Sequence, residues 1–142
     1  MLISDLQQRI SKQILIGYGF LILLTIILHA FSNFLIDDEL TSILTTLASI
    51  SALYVAPLFR FFSRGLRGEE KSPPSEINET FFIKLINLVI PAHFVIVGIL
   101  IFIKSINIIS FKEMNLFLGF IETTFGAYMS FVIISLFNLN ET

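Results

Sequence analysis

Three ionisable side chains, those of His29, His93 and Glu122, lie within long apolar segments of the 142-residue sequence. Counted from the external ends of the predicted helices at about 1.5 Å per residue, each lies about 10–15 Å inside a membrane. A charge at that depth costs at least about 2.5–3.5 kcal/mol, so we expect Glu122 to have a partner or to carry a proton. Such residues are typical of a proton- or ion-responsive site, and also of hydrogen bonds that only hold helices together.

The helix faces favour His29 as the partner of Glu122. Both residues lie on faces where small and hydroxyl side chains recur, and such faces usually pack against neighbouring membrane helices. His93 lies on a different face of its helix from the face that contains Gly98. We therefore predict a His29–Glu122 pair that titrates as a unit, while His93 is either re-aimed by a kink at Pro91 or faces a second subunit.

The residue pattern gives little support to other chemistry. Two histidines and one carboxylate can hold Zn²⁺ or Fe²⁺, but neither H-x-x-E nor E-x-x-H spacing occurs. The chain has no cysteine, which excludes thiol catalysis, and it has no G-x-S-x-G or H-E-x-x-H motif. We expect no enzymatic activity, no metal and no cofactor. The net charge of −2 argues against nucleic-acid binding.

Four apolar segments must position the ionisable residues, and each is long enough to cross a membrane. The chain is 55% hydrophobic but only 14% charged, whereas a soluble domain is about a quarter charged. A spanning helix needs about 20 mostly apolar residues. The sequence predicts an all-α integral membrane protein, a single domain over 1–142, with four transmembrane helices in an antiparallel up-down-up-down bundle. The predicted spans are about 14–36, 39–62, 80–104 and 111–137, with a cytoplasmic loop over 63–79.

Local patterns predict where the helices begin. Ser110 and Glu113 have the spacing of a capping box that opens the fourth helix. Asp37, Asp38 and Glu39 place negative charge where the second helix should begin, which the helix dipole favours. Leucine and isoleucine recur every four residues over 2–14, so we predict a short interfacial amphipathic helix over 4–13 that runs into the first span.

Small and hydroxyl side chains recur every three or four residues in each span. This rhythm favours a left-handed bundle with the small residues facing inward, and any membrane bundle needs such seams for packing alone. The clearest seams contain Ser42, Thr45, Ser49, Ala52 and Ala56 in the second span, and Gly119, Glu122, Thr123, Gly126 and Ser130 in the fourth.

Basic residues predict the orientation of the chain. Seven lysines and arginines lie on one predicted side of the membrane and only two, Lys104 and Lys112, on the other. We therefore expect a multi-pass protein of a cell membrane, the bacterial inner membrane, with both termini and the 63–79 loop in the cytoplasm. Arg60, Arg64 and Arg67 form a basic patch beside the second span, which either only determines topology or attracts anionic lipid headgroups.

The first functional hypothesis is binding, because no motif identifies a reaction. The small size, short hairpins and cytoplasmic ends are similar to those of immunity proteins against pore-forming bacteriocins. This resemblance of topology implies a protein that binds another membrane protein or segment, as an immunity protein or a complex subunit does. The alternative is an oligomeric ion- or proton-conducting protein that uses His29, His93 and Glu122. The expected partners are the lipid bilayer and either another membrane protein or a second copy.

Overall fold

The computed structural model describes residues 3–31, 35–66 and 80–137, in which four α-helices form and no strand occurs. The predicted all-α class is confirmed over these residues. In chain order, α1 covers Ile3–Phe31, α2 Asp37–Leu66, α3 Thr80–Ser105 and α4 Phe111–Phe137.

Three of the helices are long and apolar enough to cross a membrane. They contain the segments Asp5–Phe31 of α1, Phe82–Ser105 of α3 and Phe111–Ile133 of α4. The first half of α2 is less apolar, because it carries three acidic residues and many serines and threonines. Length and composition therefore support three of the four predicted spans over the residues that the structure describes.

The first helix is continuous, so the segment predicted as an interfacial helix runs without a break into the first predicted span, as the sequence indicates. Leu6, Ile10 and Ile14, whose spacing suggested the amphipathic helix, are fully buried in the protein core. Gln7 is buried beside them, and its Nε2 atom donates a 2.6 Å hydrogen bond to the main-chain carbonyl of Leu136. A periodic apolar face suits a membrane surface and a protein core equally well, and here it packs against the protein.

Helix α1 lies at the centre of the packing. It packs closely against α2 and α3, and α4 packs mainly against α3. α2 and α4 touch only loosely, and over the described residues α2 does not pack against α3. Neighbours along the chain are therefore not always neighbours in space, and a groove is left between α2 and α4.

Large side chains, rather than small ones, fill the interior. On α3 the buried face contains Ile86, Ile90, His93, Val97 and Ile101, which recur every three or four residues. Side chains at this spacing share one side of a helix, so the histidine faces inward with its apolar neighbours. The buried face of α4 follows the same rhythm and contains Met114, Leu118, Glu122, Phe125, Met129, Val132 and Leu136.

The predicted small-residue seams of α2 and α4 do not form the interior. Three residues of each seam are exposed, although Glu122 itself is buried. The separation of two packed helices depends on the side chains between them, and bulky buried residues hold these helices apart. Small residues therefore gain no close contact by facing inward. The exposed ones are Thr45, Ser49 and Ala52 on α2, and Gly119, Thr123 and Ser130 on α4.

Hydrogen bonds at both helix ends fix the connection between α3 and α4. Asn107 has a positive φ of 60°, and α3 ends there in a Schellman motif. The amide of Asn107 donates to the Lys104 carbonyl at 2.8 Å, and that of Ile108 donates to the carbonyl five residues earlier at 3.1 Å. The predicted capping box then opens α4. The Glu113 amide donates to Ser110 Oγ at 3.2 Å, and the Ser110 amide donates to Glu113 Oε2 at 2.8 Å.

An ion pair connects the end of α3 to the beginning of α2. Lys104 Nζ lies 2.9 Å from Glu39 Oε2, and these side chains are only 5% and 15% exposed. The long aliphatic stem of lysine lets its charge reach a helix that does not pack against its own. α2 begins at Asp37, so its acidic first turn lies where the sequence predicts it.

The predicted basic patch falls largely outside what the structure describes. α2 continues through Arg60 and Arg64 to Leu66, beyond the end of the predicted second span. The side chains of Arg60 and Arg64, the whole of Arg67 and the predicted loop beyond Leu66 lie outside the described residues.

Candidate functional site

Two ionisable side chains, His93 of α3 and Glu122 of α4, meet in the interior of the protein. His93 Nε2 lies 3.3 Å from Glu122 Oε1, and the two side chains are 3% and 7% exposed. Each holds a buried position in the repeat of its helix. The pair therefore joins α3 to α4 in the interior of the protein.

Tyr18 of α1 adds a third polar group to this pair. Its hydroxyl donates a hydrogen bond of 3.4 Å to Glu122 Oε2, so each carboxylate oxygen has a polar neighbour. A buried carboxylate is tolerated only with partners of this kind, since burial removes it from water. One carboxylate thus joins three helices, and we call Tyr18, His93 and Glu122 the Glu122 site.

Aromatic rings surround the Glu122 site. The His93 ring stacks on Phe125 with centroids 3.7 Å apart and planes 8° apart, and the edge of Phe94 packs against it at 5.2 Å. Tyr54 of α2 stacks on Tyr18, with ring centroids 6.0 Å apart. All four helices therefore contribute a side chain to the site or its surroundings. These contacts fix the orientation of the imidazole and keep bulk water away from it.

Two glycines make room for the aromatic rings. Gly17 of α1 is buried against Phe94, and a Cβ atom there would overlap the ring. At Gly126 of α4, a Cβ atom would lie 3.1 Å from the Tyr54 hydroxyl. A larger residue at Gly17 would therefore displace a ring that contacts His93.

His29 lies elsewhere, and the predicted His29–Glu122 pair is wrong. Its Nδ1 atom donates to the Leu35 carbonyl at 2.8 Å, and its Nε2 atom lies 3.4 Å from Asp37 Oδ1. His29 is in the last turn of α1, so it clamps the connection between α1 and α2. His93 pairs with Glu122 within the same chain, because bulky residues and not small ones define the inner face of α3.

A groove between α2 and α4 reaches Glu122. Its volume is about 200 Å³, and hydroxyl and amide side chains make up much of its wall. A polar opening of this size has room for water. The groove is lined by Ser42, Thr46, Ile50, Asn115, Leu118, Gly119 and Glu122.

Buried polar atoms also lie on the other side of the pair. Gln13 Oε1, Asn87 Oδ1 and Tyr128 Oη have no hydrogen-bond partner among the described residues. Each lies on a helix of the Glu122 site, five or six residues from the site residue, which is about 8–9 Å along the helix axis. Polar atoms in such positions are usually satisfied by water. We call these three residues the inner polar layer.

The prediction from sequence omits Tyr54, Phe94 and Phe125 from the site. A signal for the tyrosines exists, because a tyrosine in the middle of an apolar segment must place its hydroxyl against a polar group. That rule directs attention to Tyr18 and Tyr54, whereas no sequence feature distinguishes Phe94 and Phe125 among sixteen phenylalanines. Over the described residues, no three His, Asp or Glu side chains are placed to hold a metal ion.

Comparisons of the chain with protein-family models, with characterised proteins and with solved structures give no match. The function is therefore inferred from the geometry of the Glu122 site and from the faces of the helices.

Proposed function

We propose that the chain is a multi-pass membrane protein in which all four helices, α2 included, cross the bilayer in antiparallel order. Every helix exposes large apolar side chains, and lipid tails would cover a surface that soluble proteins rarely leave exposed. The short connections over 32–36 and 106–110 support antiparallel pairs. The exposed fractions are 70% for Ile16, 71% for Leu53, 68% for Leu88 and 73% for Phe120, one residue from each helix.

We further propose that both termini and the 63–79 loop face the cytoplasm of a bacterial cell. The distribution of basic residues, seven against two, supports this orientation. In this orientation the α2–α4 groove opens toward the outer surface, because its residues lie in the N-terminal halves of α2 and α4. The inner polar layer then lies between the Glu122 site and the cytoplasm.

The geometry favours proton movement through the Glu122 site as the function. The observation that carries this proposal is a carboxylate and an imidazole 3.3 Å apart in the interior. Ionisable residues inside a membrane bundle are costly, and they commonly form proton relays. The groove on one side and the inner polar layer on the other supply polar surroundings along a path across the bilayer.

Protons can pass through the site without any bond-breaking chemistry. A proton shared by the pair leaves it with no net charge, either as neutral His93 beside protonated Glu122 or as imidazolium beside carboxylate. Loss of that proton leaves a carboxylate, which the Tyr18 hydroxyl stabilises by its hydrogen bond. The proposed activity is therefore transport and not catalysis. Each chain contains the whole site, so a single copy is sufficient to bind the proton.

Proton flux into liposomes tests this proposal. Glu122→Gln keeps the size of the side chain but removes its exchangeable proton, so flux down an imposed pH gradient should fall to the level of protein-free liposomes. Glu113→Gln is the matched control on the same helix, because Glu113 is exposed and a glutamine still completes the capping box. Equal flux from the wild type and Glu122→Gln, or no flux from the wild type, would contradict the proposal.

A second candidate function is the binding of another membrane segment. The exposed residues Thr45 and Ser49 of α2, and Gly119 and Thr123 of α4, are small and lie near a groove where the two helices touch only loosely. Small residues allow a further helix to approach closely and to form interhelical hydrogen bonds. The occupant would be a helix of a target protein, as in an immunity protein or a complex subunit, or a second copy of this chain.

Cross-linking in native membranes tests the second candidate. The chain has no cysteine, so a single introduced thiol is the only reactive one. Ser49→Cys should yield a cross-linked species, either a disulfide-linked dimer or an adduct with another protein. Leu88→Cys is the control, because Leu88 is also exposed but lies on α3, which contributes no residue to the α2–α4 groove. Cross-linking that is the same at both positions would argue against a specific binding face.

A further inference from the structure

A second cleft lies between α1 and α3, and none of Tyr18, His93 and Glu122 lines it. Its volume is about 590 Å³, and it follows α1 from Asp5 to Phe20. The side chains that border it change in character along its length. Gln8, Arg9 and Lys12 line the end nearest the N-terminus, and Ile16, Phe20 and Phe94 line the other end.

The geometry of α1 and α3 explains why this cleft exists. Gly17 and Pro91 line it, one without a side chain and the other with a compact ring, so neither fills the space between the helices. The exposed side chains of Ile16 and Phe20 form an apolar wall that faces outward. Arg9 and Phe20 are eleven residues apart, which is about 16 Å along the helix.

We propose that the α1–α3 cleft binds one anionic phospholipid. Its phosphate would lie against the exposed side chains of Arg9 and Lys12, and one acyl chain would follow Ile16 and Phe20. Asp5 also lines the polar end, which leaves one net positive charge there to match a singly charged headgroup. Basic pockets between membrane helices on the cytoplasmic side bind anionic lipids in this way.

This inference rests on the proposed membrane insertion and orientation, but not on proton movement at Glu122. In that orientation Arg9 and Lys12 lie at the cytoplasmic boundary, where the leaflet is rich in anionic lipid. The apolar wall lies at the depth of the lipid tails. A phospholipid combines an anionic headgroup with apolar tails, so it matches both ends of the cleft.

Native mass spectrometry of the full chain in detergent, with phosphatidylglycerol or phosphatidylcholine added, tests the proposal. The wild type should retain one phosphatidylglycerol in preference to phosphatidylcholine. The double variant Arg9→Gln/Lys12→Gln should bind it roughly thirtyfold more weakly, because it loses two cations at the headgroup. Lys84→Gln/Lys112→Gln removes the same charge outside the cleft and should bind like the wild type. The charge-conserving variant Arg9→Lys/Lys12→Arg should also bind normally.

Several outcomes would overturn the proposal. They are equal retention of the two lipids, normal binding by Arg9→Gln/Lys12→Gln, or release of the lipid by inorganic phosphate, which would show that the acyl chain contributes nothing. Circular dichroism of each variant checks that the helices are intact. Glu122→Gln should retain the lipid, so a failure of proton transport and a failure of lipid binding are distinguishable.

Discussion

Single residues determine how the Glu122 site tolerates a proton or a charge. His93 and Tyr18 approach the two oxygens of one carboxylate from different helices, and each offers a polar atom where the surroundings are otherwise aromatic. Removal of one partner from a buried ion pair typically destabilises a protein by about 3–5 kcal/mol. A carboxylic acid can avoid that cost by keeping its proton, but it then no longer takes part in proton transfer.

Replacement of His93 by phenylalanine should separate folding from function. A phenylalanine ring can keep the stacking on Phe125, whereas Glu122 loses the base that shares its proton. We expect proton flux in liposomes to fall by about a hundredfold, at the lower end of what a positioned proton-transfer group contributes. His29→Phe is the matched control and should leave flux unchanged, since His29 contacts Leu35 and Asp37 instead. A loss of flux in both variants would show that His93 has no special role.

The ends of the helices are predicted well from the sequence where the signal lies within one helical turn. The beginning of α2 at Asp37 and the capping box of Ser110 and Glu113 follow from charge and spacing within one helical turn. The inner faces are predicted poorly, because the choice between small and bulky residues depends on how far apart the helices lie. The small-residue rule for that reason places His93 off the inner face of α3 unless Pro91 re-aims it, although His93 shares the repeat of Ile90 and Val97.

The contact between α1 and α3 depends on a glycine, and two glycines on one helix allow a matched test. Gly17→Ala would place a methyl group within the Phe94 ring, which its contacts with Tyr18 and His93 hold in place. Overpacking of this kind typically costs about 1–3 kcal/mol. Gly19→Ala meets no atom within 4 Å and should stabilise the helix by up to about 1 kcal/mol.

The free energy of unfolding in mixed detergent micelles measures both glycine variants. We expect the free energy of unfolding to fall for Gly17→Ala and to rise for Gly19→Ala. A neutral Gly17→Ala would mean that the Phe94 ring moves aside freely, and that the α1–α3 contact does not depend on the glycine.

The whole molecule carries apolar side chains outside as well as inside. Its four helices surround the Glu122 site, while large residues such as Ile16 and Phe120 point outward. Composition and hydropathy suffice to predict this class of molecule. The pairing of His93 with Glu122 needs the relative rotation of α3 and α4, which no single segment of sequence specifies.

Labelling of single cysteines tests the orientation of the whole molecule. Ile108→Cys, exposed in the turn between α3 and α4, should react with a membrane-impermeant maleimide added to intact cells. Lys71→Cys, in the 63–79 loop, should react only after the membrane is permeabilised. The cysteine-free wild type gives the background. The reverse pattern would invert the proposed topology, and labelling of both positions in intact cells would contradict insertion of α3.

Polar contacts at the helix ends are distributed unevenly over the described residues. At the end where α2 and α4 begin, Lys104 pairs with Glu39, His29 clamps the α1–α2 connection, and a capping box closes the next turn. At the opposite end, Gln7 holds the Leu136 carbonyl. The contacts of Lys104 and His29 both lead to the beginning of α2, so they hold α2 at that end although, over the described residues, no packing joins it to α3. Loss of the Lys104–Glu39 pair should therefore loosen α2 more than any other helix.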